Sequence, residues 1–133
     1  MLGDIIGEET GRITTQRVMS SDGAPRVETS FQASGTLLGV PATDIATYET
    51  VMRPGGTMYG EGQGVLMTAD GGSATWKGQG IGRFGPEGSI SYRGALYYQT
   101  THESLLRLND VAAVFEYEVD ADGNTKGQLW EWK

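Results

Sequence analysis

Glycine takes every second position in two neighbouring stretches, Gly60-Gly62-Gly64 and Gly78-Gly80-Gly82, and recurs at Gly94. A period of two belongs to extended chain, in which alternate residues share one face. Each run therefore strips side chains from one face of a sheet. Glycine weakens a strand through its conformational entropy, so such a face needs a compensating reason. Three are open: tight curvature for barrel closure, aromatic side chains from the facing wall lying over bare backbone, or a lumen left vacant for a ligand. With 21 glycines in 133 residues the chain holds roughly twice the average share, without the every-third repeat of collagen.

Strand-like segments separated by turn residues fill nearly the whole length. Eight are read: Glu8 to Ser20, Pro25 to Leu38, Ile45 to Pro54, Thr57 to Ala69, Ser73 to Phe84, Ser89 to Thr100, Val111 to Asp120 and Thr125 to Lys133. Asp22-Gly23 and Asp122-Gly123 suit two-residue hairpins, Gly55-Gly56 and Gly71-Gly72 supply positive φ, and Gly85-Pro86-Glu87-Gly88 closes another pair. Consecutive strands therefore pair antiparallel. Two connections are longer, Gly39 to Asp44 and Thr101 to Asp110. The second reads as the one helix, over Thr101 to Leu108, with Thr100 and Glu103 as a capping box and Asn109 ending it. Leu105 and Leu108, three apart, would close one barrel end. The expectation is an all-β, single-domain chain over residues 1–133: an eight-stranded antiparallel up-and-down barrel, strand eight returning to strand one, with a short helix between strands six and seven.

Register assigns the faces. A two-residue Asp122-Gly123 turn sets Phe115 opposite Trp130 and Ala113 opposite Trp132, placing both tryptophans inside with Tyr117 and Val119. The Asp22-Gly23 turn sets Val18 opposite Val27 and Thr14 opposite Phe31, with an exposed Arg17–Glu28 pair on the other side. Odd-length turns flanking the fifth strand would put glycine beside glycine. The inner face then runs from Met58 to Leu66, from Trp76 to Phe84, and through Ile90, Tyr92, Gly94, Leu96 and Tyr98, leaving Lys77, Gln79, Arg83 and Arg93 outside. Candidate ligand-binding residues on this wall are Trp76, Tyr92, Leu96, Tyr98, Phe115, Tyr117 and Trp130, which supply apolar area and, at the Tyr and Trp positions, polar tips. A two-residue Gly55-Gly56 turn would also point Glu49 inward beside Gly62, a candidate general acid or base, because a buried carboxyl without a cation is costly. One residue more or less in that turn sends Glu49 out and brings Tyr48 in.

Seventeen acidic against ten basic residues give a net charge of −7, and no basic run exceeds two residues, which disfavours nucleic acid as a partner. There is no cysteine, hence no thiolate nucleophile and no cysteine-bound metal. Neither a signal-like start nor an apolar run of membrane-helix length is present, so the expected setting is cytoplasmic, away from membranes. Gly80-Ile81-Gly82-Arg83-Phe84-Gly85 matches the dinucleotide fingerprint in letters, but Pro86 and Gly88 lead into another strand where a phosphate site needs a helix. Asp120, Asp122, Asn124 and Glu131 have calcium-loop spacing, yet Thr125 stands where that loop needs glycine, so a plain hairpin is favoured. His102 is the only histidine, next to Glu103 at the start of the helix, and reads as solvated. No metal and no cofactor are expected.

The runs Tyr59-Gly60-Glu61-Gly62-Gln63-Gly64, Trp76-Lys77-Gly78-Gln79-Gly80 and Phe115-Glu116-Tyr117-Glu118-Val119 resemble small bacterial calycin-like barrels of the allene oxide cyclase-like group, over roughly Thr29 to the C-terminus. The resemblance implies an eight-stranded barrel with a partly apolar lumen, homo-oligomerisation and, in some members, isomerisation or cyclisation of a hydrophobic substrate. It carries over no catalytic residue. Three functions follow as expectations: binding of a small hydrophobic or aromatic molecule in the lumen, cofactor-free cyclase or isomerase chemistry there, or an oligomeric module with a filled core.

Overall fold

Period-two patterning and glycine-bearing turns produce the expected ladder. In the computed structural model, which describes residues 1–133, β1 (Leu2–Ser20), β2 (Arg26–Leu37), β3 (Val40–Met52), β4 (Thr57–Thr68), β5 (Ser73–Phe84), β6 (Ile90–Thr100), β7 (Ala113–Val119) and β8 (Asn124–Trp132) close into one barrel in sequence order. All neighbours are antiparallel, and β8 pairs with β1, which removes most of the sheet edge. No helix is long and apolar enough to cross a membrane.

Two strands are longer than the sequence suggests. β1 starts at Leu2 rather than Glu8, because β8 supplies a partner from Trp132 back to Asn124. β3 starts at Val40 rather than Ile45: Leu38 and Gly39, at φ 51 and 78, make a two-residue turn that sets Leu37 opposite Val40. Pro41 sits at the barrel end, before β3 begins to pair with β4 at Ala42 and Thr68, so its missing N–H interrupts little of that ladder. The extension draws Asp44 out of a supposed loop and into the sheet.

A bulge has a larger consequence. Val18 does oppose Val27 and Arg17 opposes Glu28 at 3.5 Å, but Thr14 is an extra residue, and Ile13, not Thr14, faces Phe31. One inserted residue reverses which side chains point inward. Above the bulge Gln16 and Val18 share the inner side with buried Thr29; below it Ile13, Gly11 and Glu9 do.

The helical turn is a 3-10 segment, Glu103–Asp110, and it does not use the capping box: His102 is its N-cap without a side-chain bond. The Thr100 hydroxyl instead donates to the Ser73 carbonyl at 2.7 Å and accepts from the His102 N–H at 3.1 Å. Leu105 and Leu108 are fully buried and close this end of the barrel against Ile6, Leu37, Leu66 and Leu129. His102 is less solvated than expected. Its ring lies over Gly72, where a Cβ would come within 2.1 Å, and its Nε2 is 3.0 Å from Asp70 Oδ1, while Ser104 donates to Asp70 Oδ2. Hydrogen bonds from Thr68 and then His102 hold the Asp70 carboxyl down at about 2. Asn109 clamps the segment by donating to the Thr100 carbonyl at 3.0 Å and accepting from the Thr100 N–H at 2.9 Å. Asn109→Ala, which removes both bonds, is expected to cost about 1 to 2 kcal/mol in urea unfolding; a loss below about 0.5 kcal/mol, the range of ordinary surface changes, would show the clamp to be idle.

Candidate functional site in the barrel lumen

The glycine ladder forms as expected, with Gly60 opposite Gly80, Gly80 opposite Gly94 and Gly62 opposite Gly78, because β4–β5 and β5–β6 are joined by odd-length loops. Much of the cleared space is taken by aromatic rings lying on the backbone. A Cβ at Gly64 would stand 2.3 Å from Trp76 Nε1 and one at Gly82 2.6 Å from the Tyr92 ring, whereas one at Gly62 would meet β3 itself, 2.6 Å from the Thr47 carbonyl oxygen. Phe31, Tyr48, Tyr92 and Tyr117 form a connected cluster with ring centroids 5.2 to 6.0 Å apart. A cavity of about 80 Å³ remains, lined by these four rings, the glycines, Trp76, Leu96, Tyr98 and Phe115.

Six of the seven expected wall residues, Trp76, Tyr92, Leu96, Tyr98, Phe115 and Tyr117, meet at this cavity. Trp130 does not. The Asp122-Gly123 turn has a three-residue loop, Ala121 to Gly123, in which Asp120 Oδ1 accepts the N–H groups of Asp122 and Asn124 at 2.9 Å. The extra residue moves the register by one, so Phe115 faces Leu129, Val114 faces Trp130, and both Trp130 and Trp132 lie on the outer side. The same bonds occupy the carboxylate that a calcium loop would need. Phe84, though on the inner side of β5, stands at the rim and is 58% exposed.

Glu49 is likewise outside. Arg53 and Thr57 close a three-residue loop over Pro54, Gly55 and Gly56, which places Tyr48 opposite Gly62 and Glu49 opposite Glu61. Its carboxylate accepts from Arg26 at 2.7 Å on the surface, and it has no access to the lumen as an acid or base.

Two other carboxyls take the place proposed for it. Asp44, on β3, is 4% exposed, and both of its oxygens receive the Trp76 indole N–H, at 3.1 and 3.2 Å. Glu9, sent inward by the Thr14 bulge, stands between Gly35 on β2 and Gly127 on β8, keeps part of its surface open to the cavity, and has its carboxyl beside that of Asp44. Two carboxyls so placed share a hydrogen bond when one of them is protonated. Burial first, and then the Asp44 charge, push the Glu9 carboxyl up from an ordinary 4.5 to about 9. Burial raises Asp44 as well, opposed by the bonds from Trp76 and Glu9. Asp44, which accepts from Trp76, is therefore the better placed of the two to carry a negative charge, and Glu9 to keep a proton.

Hydroxyl groups complete the lining. Tyr92 and Thr50 share a 2.8 Å hydrogen bond, and the Tyr48 and Tyr117 hydroxyls are 3.5 Å apart. Burial raises all four lumen phenols, Tyr48 to about 12, so they stay protonated and able to donate. No group of three or more His, Cys, Asp or Glu stands close enough to hold a metal ion. A broader depression of about 1040 Å³ lies over Ile45, Val65 and Tyr97 on the outer wall, where Lys77 is the one charged residue. The inner cavity is the chemically distinctive one.

Glu9 and Asp44 escape a reading of the sequence alone. Glu9 falls on the outer side if β1 is unbulged, and Asp44 falls in the presumed loop before Ile45. A usable signal was the pattern Ala42-Asp44-Ala46, a charged residue in alternation with small apolar ones.

Fold and lumen together define a closed antiparallel barrel around a small, acid-bearing cavity. No family model and no curated protein matches the sequence. Among solved structures, the chain is similar to a conserved protein of unknown function from Rhodopseudomonas palustris, with a TM-score of 0.81, 18% identity and 99% of each chain covered. It is also similar to a β-barrel-like protein from Acinetobacter baumannii, with a TM-score of 0.83, 11% identity and coverage of 100% of this chain and 96% of that one. An enzyme from Penicillium herquei superposes with a TM-score of 0.65 at 12% identity, over 98% of this chain and 96% of that one. At these identities the likeness shows the fold alone.

Proposed function

We propose that the lumen binds a small molecule and moves a proton to or from it, as a cofactor-free acid–base catalyst of the isomerase or cyclase kind. The observation that carries this reading is the Glu9–Asp44 pair, two carboxyls in the lumen with no cationic side chain lining the space. A barrel with a purely structural role gains nothing from such a pair, since well-packed apolar residues in its place would be as stable or more so. A carboxyl that stays protonated near pH 7 is a serviceable general acid, and its charged neighbour a base, in the manner of paired titratable groups pushed apart by their surroundings. Tyr48, Tyr92 and Tyr117 would donate hydrogen bonds to charge developing on the bound molecule. The apolar walls agree with the expected hydrophobic occupant, while the cavity limits its size. About 80 Å³ is roughly half of the ~150 Å³ that accommodates benzene in an engineered cavity. The resemblance to allene oxide cyclase-like barrels agrees with that class of reaction, and an enzyme from Penicillium herquei shares the fold.

The test is NMR in deuterated water with a panel of small ketones and aldehydes, watching for protein-dependent replacement of carbon-bound hydrogen. Exchange should appear with the wild type and fall by about 10²-fold or more with Glu9→Gln, the scale of a lost general acid or base. Binding without exchange across the panel would leave a ligand-binding barrel with no chemistry. Neither binding nor exchange would leave the module with a filled core, the reading favoured by the extent to which aromatic rings already occupy the lumen.

A further inference from the structure

The lumen reading leaves the charge of the occupant open, and three observations bear on it. The side chains lining the cavity include the Glu9 and Asp44 carboxyls but no Lys, Arg or His. The Tyr98 hydroxyl lines the same space, in a residue only 8% exposed, and has no hydrogen-bonding partner within the protein. Six aromatic residues, Phe31, Tyr48, Trp76, Tyr92, Phe115 and Tyr117, surround it.

We infer that the lumen takes a small organic ammonium group, its N–H donors directed at the Asp44 and Glu9 carboxyls and at the Tyr98 hydroxyl, with aromatic rings around its carbon end. This rests on the lumen being a ligand site. A net negative charge in a low-dielectric space attracts a monocation, and ring π-systems add to the attraction. A neutral apolar occupant would leave both the carboxylate charge and the Tyr98 hydroxyl unanswered. An anion would meet direct repulsion. A bare metal ion fits poorly, because the Trp76 N–H already points at both Asp44 oxygens and too few carboxylates converge. The volume admits an occupant of a few heavy atoms. As an ammonium ion enters, its charge favours the doubly ionised pair, so the shared proton leaves and the pair turns from acid to base.

Trp76 touches Asp44 and serves as the reporter. In a Trp130→Phe, Trp132→Phe background it is the sole tryptophan, and its fluorescence can be titrated with n-propylammonium, n-propanol and acetate at about 150 mM salt, where surface attraction is screened. Propylammonium should bind about tenfold or more tightly than propanol, with acetate weakest, and Asp44→Asn should bring propylammonium and propanol to within about twofold of each other. Propanol binding as tightly as propylammonium would overturn the inference while leaving the lumen a ligand site. A cation preference that survives in Asp44→Asn would also overturn it, by placing the attraction elsewhere on this acidic protein. If none of the three probes perturbs Trp76, the ligand-site reading falls too.

Discussion

Glu9→Gln should melt above the wild type at pH 8, and the gap should close as the pH falls toward 4.5. The folded state keeps on Glu9 a proton that the unfolded chain releases above 4.5, so raising the pH favours unfolding until the folded carboxyl itself ionises at about 9. The slope is about 1.4 kcal/mol per pH unit, so the accumulated cost at pH 8 is of the order of 3 to 5 kcal/mol. Glutamine supplies the hydrogen-bond donor without the titration and escapes this cost. Asp44, also raised by burial, contributes in the same direction. Asp70 and Asp120 act oppositely: their lowered values give stability that is present above the ordinary carboxylate range and lost as the pH falls through it toward their own. Wild-type stability should therefore peak on the acid side of neutrality, near pH 5. Melting curves from pH 4 to 9 on both proteins check this, and a difference that does not change with pH would show that Glu9 is not held protonated in the lumen.

Gly94→Ala should be among the most damaging single-methyl additions in the barrel. A Cβ there would stand 2.0 Å from the Gln79 carbonyl oxygen and 2.6 Å from Gly80 Cα, so β5 itself must move, at a cost of about 3 kcal/mol. Gly60→Ala is the comparison. Its Cβ would meet only the edge of the Tyr92 ring, at 3.3 Å, and a small tilt of the ring relieves it. Alanine also narrows the unfolded ensemble, so the net change at residue 60 should lie within about 1 kcal/mol of zero. Urea unfolding of the two variants gives the ranking directly. Comparable losses at both positions would mean that β5 and β6 do not approach as closely at Gly94 as the structure has them. The contrast also separates the causes of the glycine ladder: close strand approach at Gly62 and Gly94, and rings resting on backbone at Gly64 and Gly82.

Strand order, antiparallel pairing, barrel closure and the inward glycine face of β4, β5 and β6 were legible in the sequence, because each rests on local chemistry. Period-two alternation sets a face, and glycine-bearing turns bring neighbours together. Leu105 and Leu108 could be placed for the same reason, by their spacing. The candidate acid pair could not. Whether Glu9 points in or out depends on one extra residue at Thr14, and whether Trp130 or Leu129 lines the lumen depends on one residue in the loop from Ala121 to Gly123. A single-residue change reverses every side chain along a strand without altering local propensity. The choice between registers is made by distant partners: Trp76 reaching Asp44, Tyr48 meeting Tyr117, and Gly35 with Gly127 leaving room beside Glu9. Sequence alone thus determined a closed, glycine-cleared antiparallel barrel, whereas the packing of strands far apart in the chain decided that Glu9 and Asp44 face its lumen and that Glu49 and Trp130 do not.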